Sequence, residues 1–157
     1  MTAMYDVGDI ALTRQPTAVM RGEMAMGDVG PWLADCYRTV HNYLRSVGVD
    51  PVGPPFARLT LLAGAVVVEA GFPCAREIDG DGRVEPSALP AGHAAVTTHI
   101  GRYEDLGIAY EAIRTWLKAR RYVEAGPHWE VYFTDPQAEP DPDHWRTDVV
   151  MPYRAAA

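Results

Sequence analysis

Gly27-Asp28-Val29-Gly30 returns later in the chain as Glu104-Asp105-Leu106-Gly107, and Val52-Gly53-Pro54-Pro55-Phe56-Ala57 returns as Ala125-Gly126-Pro127-His128-Trp129-Glu130. The first pair is displaced by 77 residues, from Gly30 to Gly107, and the second by 73, from Gly53 to Gly126. The displacements differ by four residues (77 − 73), about one helical turn. The stretch between the matches therefore reads as a helix that is one turn longer in the first half. Chance could give either short match alone. Two in the same order, bracketing an amphipathic stretch, point to a duplicated unit.

The two helices can be checked against each other. Val29, Leu33, Cys36, Val40, Leu44 and Val47 follow a 3.6-residue period in the first, and Leu106, Tyr110, Ile113 and Leu117 follow it in the second. Subtracting 77 places the second set on Val29, Leu33, Cys36 and Val40, so the apolar stripes coincide. Asp28 and Asp105 are expected N-caps. Pro31 suits an early helical position, and Gly48 suits the C-terminal stop.

Outside the helices the period changes. Ile10 to Gly22 reads as a strand interrupted at Gln15-Pro16. Phe56 to Leu62 and Ala65 to Phe72 read as a hairpin turning at Ala63-Gly64. Gly92 to Gly101 reads as a strand, Asp105 to Arg121 as a helix, and Trp129 to Thr134 and Trp145 to Tyr153 as further strands. Between the last two lies a Pro- and Asp-rich loop, and the tail from Arg154 to Ala157 looks frayed. Each half is thus strand–helix–strand–strand. The expected fold is α+β, with two βαββ units about a pseudo-twofold axis and an antiparallel sheet carrying both long helices. It forms a single domain over 1–157, with repeat 1 at about 8–75 and repeat 2 at about 83–153.

Composition agrees with one globular domain. The chain has 157 residues, of which 48% are hydrophobic and 22% charged. Its 14 Lys and Arg against 21 Asp and Glu give a net charge of −7, which disfavours a phosphate-backbone partner. The longest apolar run, Leu59 to Ala70, is broken by Thr60, Gly64 and Glu69 and falls short of the ~20 residues of a membrane span. Met1 to Asp9 shows no secretion signal. Cys36 and Cys74 read as reduced cytoplasmic thiols.

Most candidate chemistry has a plain structural reading. Asp79-Gly80-Asp81-Gly82 resembles part of a calcium loop, but the twelfth position would be Ala88, which offers no carboxylate. A Gly-rich connector is the better account. The histidines, His41, His93, His99, His128 and His144, form no HxH or HxxxH pair, and neither cysteine has zinc spacing beside one. Ser46 and Ser87 lie in no GxSxG elbow, and no Gly-rich phosphate loop is present. No metal and no cofactor are expected. Cys36 falls on the core stripe as a small buried residue.

Glu130 stands apart. It sits in Trp129-Glu130-Val131-Tyr132-Phe133, where its repeat partner is Ala57. A carboxylate buried among aromatics loses hydration and needs donors or a cation. Alternatively the strand has one wet face, to which Glu130 and Tyr132 point. Glu69 poses the same question more weakly. Trp32, Tyr37, Phe56, Tyr103, Tyr110, Trp129, Tyr132 and Trp145 cluster near the expected inner surfaces. Beside a desolvated carboxylate, such rings suit a flat, apolar, cationic ligand.

The chain resembles the GyrI-like small-molecule-binding family, the effector-binding domain of bacterial transcription activators. The resemblance lies in Gly53-Pro54-Pro55-Phe56-Ala57-Arg58, Val68-Glu69-Ala70-Gly71-Phe72-Pro73, Leu89-Pro90-Ala91-Gly92, and Thr98-His99-Ile100-Gly101-Arg102-Tyr103-Glu104-Asp105-Leu106. It continues through Ala109-Tyr110, Trp116-Leu117, Gly126-Pro127-His128-Trp129-Glu130-Val131-Tyr132-Phe133-Thr134-Asp135-Pro136 and Trp145-Arg146-Thr147-Asp148. The resemblance implies a duplicated βαββ fold with a ligand cleft. It also implies that the glutamate matching Glu130 meets lipophilic cations among aromatics matching Tyr110 and Tyr132. With the clustered aromatics, the expected ligand-binding residues are Glu130, Tyr132, Tyr110, Tyr37, Phe56, Trp32 and Trp145. Arg102 departs from the pattern, because a proline is common there.

Many members carry a helix-turn-helix domain ahead of this module, and this chain begins almost at its first strand. The expectation is therefore a stand-alone cytoplasmic module of the multidrug-binding type, related to transcription regulators. It would bind lipophilic, cationic or aromatic compounds without contacting nucleic acid or membrane. Two alternatives stand beside it. Some stand-alone relatives are hydrolases of electrophilic cyclopropanoid toxins, which would make Glu130 a general base or stabiliser. Gyrase-inhibitor relatives would imply a protein partner.

Overall fold

The structure, a computed structural model, describes residues 5–157. The first four residues of the Met1–Asp9 stretch, and of the expected 1–157 domain, lie outside the described residues. In chain order the elements are β1 (Val7–Leu12), β2 (Gln15–Met24), α1 (Val29–Val47), β3 (Phe56–Leu62), β4 (Ala65–Pro73), β5 (Glu85–Leu89) and β6 (Gly92–Ile100). They continue with α2 (Leu106–Ala119), β7 (Tyr122–Glu124), β8 (Trp129–Tyr132) and β9 (Arg146–Ala155). The fold is α+β, and all its strand pairings described below are antiparallel. Two compact units divide the chain, one of Thr13–Ala91 and one of residues 5–12 with Gly92–Ala157.

In the contiguous unit, β4 pairs with β3 and β2, and β2 also pairs with β5. Helix α1 packs on β4 and β2. Its stripe buries Val29, Cys36, Val40 and Leu44, and the register places Ala18 and Met20 of β2 on the same sheet face as Val66, Val68 and Ala70 of β4, all buried. Val47, expected on the stripe, is instead 40% exposed, because the helix ends there and Gly48 turns away at φ 68. The Cys36 thiol donates to the Ala70 carbonyl at 3.3 Å. Gly71 allows the closest backbone approach: a Cβ there would lie 1.9 Å from the Ala18 carbonyl oxygen.

In the other unit, β9 is central. It pairs with β6, β8 and β7, and β6 pairs with β1. Helix α2 packs on β6, β9, β7 and β1. The core beneath it comprises Ala95, Leu106, Ala109, Ile113, Leu117, Val149, Met151 and Tyr153. The two units share one pairing scheme. The strand before the helix, β2 or β6, is flanked by an edge strand (β5 or β1) and by the last strand (β4 or β9). That last strand pairs with the strand after the helix, β3 or β8.

Several sequence expectations change in detail. The stretch from Ile10 to Gly22 is two strands with different partners, β1 on β6 and β2 on β4 and β5. Asp28 and Asp105 do mark helix starts, but neither side chain caps. Each ends a short 3-10 turn, 26–28 or 103–105, so its backbone is already helical instead of extended as a capping residue requires. The expected frayed tail is ordered through Ala155, because Arg154 and Ala155 pair with Val123 and Tyr122 of β7. In the Gly-rich connector, Asp81 accepts from the Arg83 and Val84 N–H groups, so its carboxylate serves the turn.

Candidate functional site

Strand β8 places Glu130 opposite Val149 and Tyr132 opposite Thr147 on β9. Residues directly opposite in a sheet share a face. Val149 belongs to the core under α2, so Glu130 and Tyr132 face α2 as well. That decides which side of 129–133 meets the helix, which alternation alone leaves open. The wet-face reading of Glu130 fails: the residue is 7% exposed.

A buried carboxylate needs donors, and two phenols supply them. The Tyr110 hydroxyl, from α2, donates to Glu130 Oε2 at 2.5 Å, and the Tyr132 hydroxyl donates to Oε1 at 2.8 Å. Among the described residues no Arg or Lys forms an ion pair with Glu130. Arg114, one turn along α2 from Tyr110, lies 5.6 Å from the Tyr110 ring centre and pairs with Glu124 at 3.9 Å. The carboxylate is therefore hydrogen-bonded without a matching cation.

Its charge is felt by its neighbours. Burial, then the Glu130 charge and the hydrogen bond to it, hold the Tyr110 phenol far above its ordinary range. Burial, then Glu130 and Asp135, raise Tyr103. The His128 ring stands edge-on to Tyr110 at 4.9 Å between ring centres. Burial pushes its pKa down, outweighing the opposite pull of Glu130 and Glu124.

A second aromatic layer adjoins this one. Tyr103 meets Tyr132 edge-on at 5.8 Å and lies 4.8 Å from Trp145. Two hydrogen bonds fix Trp145: the Gly101 N–H donates to its carbonyl at 2.8 Å, and its indole Nε1 donates to the Glu139 carbonyl at 2.7 Å. Buried His99 braces the same turn. Its Nε2 lies 2.8 Å from the Arg102 carbonyl, which can only accept, so Nε2 carries the proton and Nδ1 accepts from the Tyr5 hydroxyl at 2.8 Å. Arg102 itself has φ −68, a value that proline also adopts, so the departure from the common proline leaves the turn's conformation intact. Opposite Tyr132 on β9, the fully buried Thr147 hydroxyl has no hydrogen-bond partner among the described residues.

Of the sequence-predicted residues, Glu130, Tyr110 and Tyr132 are thus bonded directly, and Trp145 joins them through Tyr103. The other three belong to the contiguous unit. The Tyr37 hydroxyl donates to the Phe56 carbonyl at 2.9 Å, Phe56 is 1% exposed, and Trp32 lies against Gly22, where a Cβ would come within 2.9 Å of the indole. Tyr103 and His128 were not among the predicted residues. For His128 the available signal was alternation, since 128, 130 and 132 fall on one side of an extended chain; Tyr103 stood among the clustered aromatics but not among the expected ligand contacts.

A carboxylate walled by aromatic rings and held out of water can attract a cation strongly while the rings supply contact area. The chain belongs to the GyrI-like small molecule binding domain family, whose pattern matches residues 59–154. No curated protein matches it. Solved structures share its fold. The EcmrR C-terminal domain is 13% identical with a TM-score of 0.83, over 98% of this chain and 100% of that one. A protein described as SAV2435 bound to tetraphenylphosphonium is 12% identical with a TM-score of 0.65, over 95% and 94%. One described as a hydrolase from Listeria innocua is 11% identical with a TM-score of 0.69, over 94% and 91%. The chain spans 58% of the EcmrR chain in its complex with DNA. No helix among the described residues is long and apolar enough to cross a membrane.

Proposed function

We propose that this chain binds lipophilic compounds that are cationic or carry a flat aromatic surface, with Glu130 as the charge partner. Tyr110, Tyr132, Tyr103 and Trp145 supply the rings, and Tyr37, Phe56 and Trp32 stand as further ligand contacts. One observation carries the reading: Glu130 is 7% exposed and held by two phenol hydroxyls, and among the described residues no Arg or Lys forms an ion pair with it. A charge kept out of water without a counter-charge is costly, and a ligand cation offsets that cost. The bound tetraphenylphosphonium in the SAV2435 structure is a lipophilic cation, which supports the same class of ligand. The test compares a rhodamine-type cationic dye with an uncharged dye of similar size. Glu130→Gln is expected to weaken the cation about tenfold or more, ~1.4 kcal/mol, and the uncharged dye far less. Equal losses for both dyes would remove Glu130 from this role.

The same pair of groups favours a second reading. A buried carboxylate bonded to a tyrosine hydroxyl is an arrangement that can take a proton from water as the water oxygen bonds to a strained ring carbon; the ring C–C bond breaks, and the phenol donates to the electron-withdrawing group that takes up the electron pair. On this reading the protein hydrolyses electrophilic cyclopropanoid compounds. Hydrated product that disappears in Glu130→Ala would support it; tight binding without product would favour the binding role.

The proposal extends to organisation and location. The shared pairing scheme supports one domain built from two copies of a βαββ unit, at about 8–75 and 83–153. Two free, buried thiols fit a cytoplasmic setting.

A further inference from the structure

We propose that His128 determines which charge class of ligand the Glu130 site accepts: neutral, it leaves the site open to a cation; protonated, it becomes the internal counter-charge of Glu130 and turns cations away. This rests on the binding reading given above.

The geometry assembles as follows. His128 precedes β8 and stands edge-on to Tyr110, the residue that donates to Glu130 Oε2. The groups facing it are Tyr110 and Arg114 on α2, Glu124 on β7 and Glu130 on β8. Glu124 is already engaged by Arg114 at 3.9 Å, whereas the bonds Glu130 receives come from neutral phenols. Among the described residues facing Tyr110 and Glu130, His128 is therefore the titratable nitrogen whose charge can change on mild acidification. Burial keeps it neutral there. As pH falls below the ordinary histidine range, an imidazolium forms against a carboxylate in a poorly solvated setting. A ligand cation must then displace that attraction and meet like charge. By linkage, a bound cation makes His128 harder to protonate, so cation binding at mildly acidic pH releases a proton. An uncharged aromatic ligand has no such coupling.

Two measurements test this. The first follows binding of rhodamine 6G and of uncharged Nile red between pH 7.5 and 5. Rhodamine affinity is expected to fall about tenfold toward the acid end while Nile red holds steady. His128→Gln and His128→Phe, the latter keeping a ring against Tyr110, should remove most of the fall. An unchanged rhodamine profile in both variants would overturn the proposal while leaving the binding reading standing. The second needs no ligand: the His128 imidazole is titrated by NMR in the wild type and in Glu130→Gln. Removing the carboxylate should move the midpoint downward, because its pull toward the charged form is lost. An unmoved midpoint would overturn the proposal even if neither dye binds, an outcome that would count separately against the binding reading.

Discussion

The hydroxyl of Tyr110 on α2 donates to Oε2 of Glu130 on β8 at 2.5 Å. That bond ties helix to sheet and satisfies half of a buried carboxylate. Tyr110→Phe keeps the ring and leaves Oε2 without this donor. Stability is expected to drop by about 1.5–3 kcal/mol, the range for hydrogen bonds to charged groups. Urea denaturation of the two proteins reads the difference.

The same phenol contributes to the alkaline limb of stability. Its pKa is raised in the folded protein, chiefly by burial, so the neutral form is favoured on folding. The contribution is fully present below the unfolded value of about 10 and is lost as pH rises above it, because only the unfolded chain then ionises freely. Phenolate absorbance should show a late component, to which Tyr103 and Tyr153 also contribute, that shrinks by one tyrosine in Tyr110→Phe. A Tyr110 that titrates with the exposed tyrosines would contradict this.

How far was this site legible in the sequence? Glu130 was visible as a carboxylate inside an aromatic strand. The resemblance places Tyr110 beside it, but not the direct bond between them: Tyr110 lies twenty residues away on a helix, and the register Glu130↔Val149 is what puts the two face to face. Helices α1 and α2 were legible through periodicity. Strands β5 and β7 were missed: Glu85-Pro86-Ser87-Ala88-Leu89 contains a proline, tolerable because this is an edge strand, and β7 has three residues. The caps were misread because 3-10 turns precede both helices, and side-chain composition does not distinguish the last residue of such a turn from a true cap.

Arg102 offers a stabilising change. Its φ of −68 suits proline, and its N–H makes no hydrogen bond among the described residues. The ion pair lost, Arg102 to Asp143 at 3.8 Å, is largely exposed and worth little. Arg102→Pro is expected to add about 0.4–1 kcal/mol by restricting the unfolded chain. A thermal melt that moves downward would refute the compatibility of this turn with proline.

Gly71 lies between Val19 of β2 and Phe56 of β3. A Cβ there meets the Ala18 carbonyl oxygen at 1.9 Å, a backbone atom that cannot swing aside. Gly71→Ala should cost about 3 kcal/mol or more through forced separation of β2 and β4. Loss of soluble folded protein, or a sharply lowered denaturation midpoint, is the expected readout.

Both thiols are buried; burial pushes Cys36 up to about 12 and raises Cys74 as well. Thiolate is the reactive form, so neither should react with Ellman's reagent in native protein at pH 7. Both should react once urea unfolds the chain. Rapid native labelling of either would place it nearer the surface.

The central position of β9 governs the order in which a ribosome can deliver this protein. Residues 13–91 are contiguous, so that unit has all its strands as soon as they emerge. The other unit begins with β1 and must hold it unpaired until β6 arrives, and then wait for β9, against which β6, β7 and β8 all pair. Glu130 is synthesised before the strand that orients it. The Glu130 carboxylate therefore takes its place only once β9 has emerged, after all the strands of residues 13–91 are available to pair.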